Sequence, residues 1–313
     1  MKNSLLHLTG IVLFLTVANV AYGQVNNVSA SANINTNAHK LNLRAGFTAD
    51  VVAEGVVGAW HMAVTRQGGV YVKLSKLKDG KGIMYLMDSN NDGRLEIQTA
   101  FGDYPGKGIF IKSDYLYASS NDDVYRYKLN NTGEVVNAAA PEKIVVGLVN
   151  RNRDNSKAIV VDNKNNLYVS VGSYLTLCLV DPKSKQAPYP CPMLNSVGGI
   201  WQFKTNKPNQ QYKDGIRYAT GFKNTVGLTW NAKTNSLFVM NHGRHQLHDL
   251  FPQYYTAEQN TLLPSEIMYE VPKGADGGWP YVYYDHIQNK KMLMPEYGGD
   301  GKKTGGENAD WAR

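Results

Sequence analysis

From Leu41 onward the chain is built of short apolar runs in which apolar and polar residues tend to alternate, separated by Gly, Asn and Asp. The clearest are Gly69-Val70-Tyr71-Val72, Met84-Tyr85-Leu86-Met87, Tyr115-Leu116-Tyr117-Ala118 and Val124-Tyr125-Arg126-Tyr127. Asn166-Leu167-Tyr168-Val169-Ser170-Val171, Gly199-Ile200-Trp201-Gln202-Phe203 and Ser236-Leu237-Phe238-Val239-Met240 continue the series. Successive side chains of a strand point to opposite faces, so this texture, rich in β-branched and aromatic residues, predicts strands. The 20 tyrosines fall largely within such runs. Long helical periods are missing, apart from a turn or two around Tyr254 to Asn260. A phrase of turn, aliphatic residue, Tyr and Val recurs near Gly69, Tyr115, Leu167 and Leu237. Its loose spacing of roughly 50 to 70 residues is the size of a propeller blade with its loops. Periodicity alone leaves a β-sandwich or several small β domains open beside the propeller.

The N-terminus has a different texture. Lys2, the mostly apolar stretch Leu5 to Val20 and the small-residue site Ala21-Tyr22-Gly23 predict a signal peptide over residues 1–23, cleaved before Gln24. An uncleaved anchor is the alternative, because the apolar run is near the lower length for spanning a bilayer. No Cys lies at the cleavage point to carry a lipid, and no later segment is apolar enough to cross a membrane. The expected location is periplasmic or secreted. Residues 24–40, rich in Asn, Ser, Ala and Thr, read as a flexible leader, and residues 41–313 as the folded domain. The net charge of +7 is scattered along the chain, which argues against nucleic-acid binding. The two cysteines, Cys178 and Cys191, predict a disulfide in an exported protein, with free thiols or metal ligation as the alternatives.

Several chemistries find no support. The chain has no Gly-x-Ser-x-Gly elbow, P-loop, dinucleotide fingerprint or haem-attachment string. Asp88, Asn90 and Asp92 have the oxygen spacing of a calcium loop, but Thr99 stands where a bidentate Glu would close it. Asx turns between two strands are the other reading. His242, His245 and His248 suggest zinc by spacing, yet the outer two diverge on an ideal helix and no His-Glu-x-x-His core accompanies them.

A set of motifs in fixed order narrows the function. These are Gly198-Gly199-Ile200-Trp201-Gln202-Phe203, Ala219-Thr220-Gly221-Phe222-Lys223-Asn224, Asn241-His242-Gly243-Arg244-His245, Leu263-Pro264-Ser265-Glu266 and Gly274-Ala275-Asp276-Gly277-Gly278-Trp279-Pro280. They resemble the active-site half of soluble sugar dehydrogenases that use pyrroloquinoline quinone (PQQ), of the glucose and sorbosone type. Weaker similarity begins at Leu43-Arg44-Ala45-Gly46-Phe47. The resemblance implies an all-β, six-bladed propeller, incomplete in this chain because its C-terminal blades are missing. It also implies oxidation of an aldose or sugar aldehyde with PQQ and calcium, and electron transfer to an external acceptor.

The same resemblance assigns positions. Lys223 and Asn224 occupy the place of an Arg-Asn pair that contacts the quinone. The carbonyls of Gly243 and Arg244 occupy the calcium loop, with His245 in place of an acid. Asp154 stands in the slot of the His that serves as base. His61, in Trp60-His61-Met62-Ala63-Val64, matches a family string; it lines the central pocket or is a satisfied, semi-buried histidine. Other cations that hold the quinone belong to the family's late blades. Lysine lacks the planar fork of arginine, and an ordinary Asp is a weak base. The alternative function is therefore a non-catalytic propeller that binds carbohydrate or an envelope protein.

Overall fold

In the computed structural model the described residues are 41–151, 157–181 and 183–306. The expected signal peptide, the leader and Asp154 lie outside them. No helix among the described residues is long and apolar enough to cross a membrane.

Among the described residues, four sheets of three or four consecutive antiparallel strands precede a two-stranded hairpin. The first holds β1 (Ala59–Val64), β2 (Val70–Lys78), β3 (Lys81–Met87) and β4 (Glu96–Phe101). The second holds β5 (Ile109–Lys112), β6 (Tyr115–Ser119), β7 (Val124–Lys128) and β8 (Glu142–Val146). In the third, β9 (Ile159–Val161), β10 (Asn166–Val171) and β11 (Gly199–Lys204) precede β13 (Ile216–Thr220), while the intervening β12 (Gln210–Gln211) crosses over to pair in parallel with β8. The fourth holds β14 (Thr225–Asn231), β15 (Ser236–Asn241) and β16 (Ile267–Val271). A hairpin of β17 (Val282–Asp285) and β18 (Lys290–Leu293) follows.

The sheets are joined through their first strands: β1 packs on β5, β5 on β9, and β9 on β14. Only a radial arrangement places the first strand of every sheet beside the first strand of the next. The fold is a β-propeller, with four blades among the described residues. Blade faces are glued by aromatic contacts. Tyr168 of β10 stacks on Trp230 of β14 with ring centroids 5.5 Å apart. The Tyr104 hydroxyl is 2.8 Å from that of Tyr127, and the Tyr104 ring stacks on Tyr125. Polar tips satisfied by a partner let such rings be buried without an orphaned hydroxyl.

Two connections are longer than a blade requires, and they carry the site. Residues 172–198, between β10 and β11, contain a disulfide joining Cys178 and Cys191, with Cα atoms 6.0 Å apart. Residues 242–266, between β15 and β16, contain two short helices, α1 (Leu247–Leu250) and α2 (Ala257–Leu262). A capping box starts α2, in which Thr256 Oγ1 accepts from the Gln259 amide and Gln259 Oε1 accepts from the Thr256 amide. Cys178, Cys191, Leu247, Phe251, Trp279 and Met292 share one apolar cluster with the interior of blades two and three. The long loops are thus anchored by burial. The disulfide separates its cysteines by 13 positions, and closing a loop of that length constrains the unfolded chain by about 3 kcal/mol. Replacing both cysteines by serine is expected to lower the unfolding free energy by about 2–4 kcal/mol in a denaturant titration.

Lys73 on β2 lies in the core. Its ammonium donates to the carbonyls of Gly82 at 3.1 Å and Tyr104 at 2.8 Å, and sits 4.4 Å from the centre of the Tyr104 ring. Burial pulls its pKa from 10.5 down to about 7. Between those values the unfolded chain holds a proton that the folded chain has lost, so this group makes stability rise with pH. The difference in unfolding free energy between the wild type and Lys73→Met is expected to grow by a few kcal/mol across that window, at about 1.4 kcal/mol per pKa unit. A pH-independent difference would contradict it.

Candidate functional site

Four residues, 221–224, link β13 to β14. Gly221 has φ +72°, and a Cβ there would sit 1.9 Å from Asp276 Oδ1 and 2.6 Å from the Gly278 nitrogen. Only glycine fits both the dihedral and the space. The Gly221 carbonyl accepts the Trp279 amide at 3.0 Å, and Asp276 Oδ1 accepts the Gly278 amide at 2.8 Å. Burial raises the Asp276 pKa. The Gly277-Gly278-Trp279 segment is thereby stitched to the linker.

This stitching fixes the next two side chains. Lys223 is 3% exposed despite its loop position, so it is not a solvated loop lysine. Its Nζ lies 3.5 Å from His245 Nδ1, and the opposite edge of that ring, Nε2, hydrogen-bonds Thr176 Oγ1 at 3.2 Å. The Trp279 indole N–H donates to the Thr176 carbonyl at 3.2 Å, so the long loop of blade three closes over the lysine. Asn224 is also buried. Its amide donates to Asn241 Oδ1 at 3.3 Å and its carbonyl accepts the His242 amide at 3.0 Å. Its side-chain Oδ1 is buried without a hydrogen-bond partner. Such an acceptor is costly unless a ligand, ion or water satisfies it.

The second strand of this blade, β15, delivers Gly243 and Arg244 beside that loop. A Cβ on Gly243 would lie 2.4 Å from both the nitrogen and the oxygen of Ser265, so the turn rests directly on the Ser265 backbone. Lys223, Gly243, Arg244, Ser265 and Trp279 line a common pocket. The Arg244 guanidinium is almost fully buried. It donates to the His245 carbonyl at 2.7 Å and lies 3.5 Å from Glu296 Oε2, whose side chain is equally buried. Arg244 Nε and Glu296 Oε1 have no hydrogen-bond partner. Burial raises the Glu296 pKa, with Arg244 opposing the shift.

The structure thus brings together Lys223, Asn224, Gly243 and Arg244 with His245 and Trp279 of the sequence motifs, and adds Thr176 and Glu296. The last two carry no local signal in sequence. His61 lies elsewhere, on β1, where Nδ1 donates to the Lys107 carbonyl at 2.5 Å. The histidines of the 242–248 string go to separate partners: His242 to Glu266 at 2.8 Å, His245 to Lys223 and Thr176, and His248 to the Tyr255 carbonyl at 2.7 Å. No group of three or more His, Cys, Asp or Glu side chains placed to hold a metal occurs among the described residues. In the Asp88 loop the carboxylate oxygens accept from the loop's own amides. Gly93 donates to Asp88 Oδ2 at 3.0 Å and Arg94 to Asp92 Oδ1 at 2.8 Å, while Asn90 Oδ1 accepts the Asp92 amide at 2.9 Å. That is Asx-turn geometry.

Comparison with known proteins agrees with the fold. No curated protein matches the chain. Among solved structures, a calcium structure of the Trichoderma reesei carbohydrate-active enzyme of family AA12 superposes with TM-score 0.61 at 15% identity. That match covers 80% of this chain and 66% of the other. The holo form of the PQQ domain of pyranose dehydrogenase from Coprinopsis cinerea superposes with TM-score 0.56 at 17% identity, covering 75% of this chain and 56% of that one. The chain therefore spans less than two thirds of the length of either. Both carry the propeller likeness. The TrAA12-like family model matches residues 41–269, most of the chain and its blades as far as the start of β16, and the chain belongs to that family.

Proposed function

We propose that this protein is an exported quinoprotein that oxidises an aldose or sugar aldehyde, using PQQ and calcium and passing the electrons to an external acceptor. The observation that carries this reading is the buried Lys223-Asn224 pair beside the Gly243-Arg244 turn. The Lys223 cation lines a pocket with Gly243 and Arg244, and the next residue, Asn224, carries an orphaned amide oxygen.

The residues present fit the group. PQQ is a planar tricarboxylate, and the Lys223 ammonium offers a carboxylate a charge-assisted partner at a site already stripped of water. A bound anion would offset the cost of burying that charge. The carbonyls of Gly243 and Arg244 supply hard oxygen donors suited to calcium, and Asn224 Oδ1 is a third oxygen that lacks a partner. Bound PQQ and calcium would supply a hydride acceptor and a Lewis acid for the oxidation of the sugar. Lys223 holds the anionic edge, and His245 keeps the ammonium in place. Trp279 and the disulfide-tied loop exclude water. The hydroxyl proton of the sugar needs a base, and the position for it is Asp154.

Purified protein incubated with PQQ and calcium is expected to reduce an artificial dye in the presence of at least one member of a sugar panel. Lys223→Met is expected to reduce that rate by at least about tenfold by weakening cofactor retention. Sugar binding without PQQ uptake or dye reduction would overturn the oxidase reading in favour of a carbohydrate-binding propeller.

A further inference from the structure

Equivalent strands of successive blades run in the same direction along a propeller axis. Strand β14 begins two residues after Lys223, so the turns that follow the first strands lie at the opposite end from that lysine. Thr65 to Gly68 follow β1, and Ser113 and Asp114 follow β5. Strand β6 is antiparallel to both β5 and β7, so β7 runs with β5 and the residues after it, Leu129 to Gly133, lie at that end too. These three turns enclose a cleft of about 550 Å³ between blades one and two. It shares no residue with the pocket around Lys223.

Residues 130–134 form a ridge that leaves blade two and rests on blade one. Gln67 Nε2 donates to the Asn131 carbonyl at 2.7 Å, and the Tyr71 hydroxyl donates to the Gly133 carbonyl at 2.8 Å. Gly133 has φ +85°, and a Cβ there would lie 2.9 Å from Thr65 Cβ, so the ridge sits directly on the turn of blade one. Within the ridge, Asn130 Oδ1 accepts the Thr132 amide at 3.0 Å and the Glu134 amide at 2.8 Å. The wall is therefore fixed on both blades. Its other side lines a second cleft of about 650 Å³, with Tyr85 and Phe101 beneath and the exposed Gln98 and Glu134 beside them. Asn130 lines both clefts, so the two meet at the ridge. Each volume falls in the range of small-ligand clefts, roughly 300–1,000 Å³.

The groove offers hydrogen bonds of both senses and no dominant charge. Gln67, Asn130 and Asn131 in the first cleft and Gln98 in the second contribute amides, each with donors and an acceptor. The cations Arg66 and Lys112 are matched by the carboxylates Asp114 and Glu134. Lys112 Nζ is already engaged by Asn163 Oδ1 at 2.5 Å, and Asp114 Oδ2 by Lys128 at 3.1 Å. The side chains of Arg66, Ser113 and Asn131 make no hydrogen bond or ion pair among the described residues, which leaves them to a ligand. A polyanion would meet two carboxylates here, and a small ion would fill neither cleft. A chain of neutral sugar rings matches both surfaces: its hydroxyls donate and accept, and its C–H faces suit Val64 and Ile111 in the first cleft and Tyr85 in the second.

We propose that this groove is a second, non-catalytic carbohydrate site, which takes a neutral oligosaccharide across the 130–134 ridge at the end of the propeller opposite Lys223. Asn131 holds the stretch of sugar in one cleft and Gln98 the stretch in the other. The site stands apart from the quinone reading, since no residue of it enters that chemistry.

The test is a calorimetric titration of the full chain, without PQQ or calcium, with cellohexaose, maltohexaose and laminarihexaose, and with glucose and hexagalacturonate for comparison. At least one neutral hexasaccharide is expected to bind at least about tenfold more tightly than glucose, because both clefts are engaged at once. Asn131→Ala and Gln98→Ala are each expected to weaken that binding about three- to tenfold. Both side chains are exposed, so the variants should melt with the wild type, which separates lost binding from lost folding. Hexasaccharide binding that neither variant weakens would place the sugar elsewhere and overturn the proposal. Weakening by one variant alone, or glucose binding as tightly as the hexasaccharide, would overturn a groove that spans the ridge. Binding of hexagalacturonate alone, or of no sugar in the panel, would overturn the neutral carbohydrate site. Each of these failures leaves the quinone reading standing, and a failure of PQQ uptake leaves this site standing.

Discussion

Replacing Arg244 by methionine is expected to destabilise the protein by about 3–5 kcal/mol, the cost of leaving a buried carboxylate without its counter-charge. Arg244 and Glu296 face each other at 3.5 Å with both side chains 1% exposed. At that separation their direct attraction is loose, and Arg244 Nε and Glu296 Oε1 remain unsatisfied. The pair therefore adds little stability over an apolar pair of the same volume, yet each member depends on the other. Two corollaries separate this account from simple packing loss. Adding Glu296→Leu to Arg244→Met should restore most of the lost stability. The penalty of the single variant should also shrink as pH falls, because Glu296, already raised by burial, becomes neutral by taking up a proton. Chemical denaturation of the three proteins at two pH values measures both. A double variant no more stable than Arg244→Met would contradict the account.

Gly221→Ala is expected to cost at least about 3 kcal/mol, combining backbone strain at positive φ with a steric clash. The added methyl would sit 1.9 Å from Asp276 Oδ1 and 2.6 Å from the Gly278 nitrogen. Flexible side chains can retreat from such an intrusion; a backbone nitrogen cannot without moving its segment. The Gly277-Gly278-Trp279 strap would have to shift, and with it the indole that holds the Thr176 loop over Lys223. Asp276→Ala added to Gly221→Ala should recover only part of the loss, since it removes the nearest atom but not the Gly278 contact or the dihedral strain. Thermal melting separates the two contributions. Full recovery in the double variant would show that backbone packing is not what demands glycine at this position.

The family resemblance singled out the propeller, and the strands were legible because the recurring turn-aliphatic-Tyr-Val phrase marks one structural position. It falls on β2, β6, β10 and β15, the second strand of each blade. Second strands read clearly since they are flanked by strands on both sides and carry the aromatic residues that glue adjacent blades. First strands read poorly. Ile159–Val161 is three residues long and wholly buried, so it shows no alternation. The Lys223-Asn224 and Gly243-Arg244 loops were found by family motif, not by periodicity, and the structure places them in contact.

Thr176 and Glu296 had no local signal. Glu296 is 52 positions from Arg244, and nothing in Met-Pro-Glu-Tyr marks its glutamate as buried. Thr176 and Trp279 meet only because the long loop of blade three folds over the linker. The disulfide between Cys178 and Cys191 ties down the same long loop, which connects a spacing visible in sequence to the closure of the pocket.

The central claim is that the turn holding Lys223 and Asn224, together with the Gly243-Arg244 loop, forms a quinone and calcium site. A crystal structure of the protein grown with PQQ and calcium tests it most directly. The account predicts the quinone with a carboxylate against Lys223, and a cation coordinated by the carbonyls of Gly243 and Arg244. Clear density for the protein at saturating PQQ, with that pocket holding only water, would contradict it.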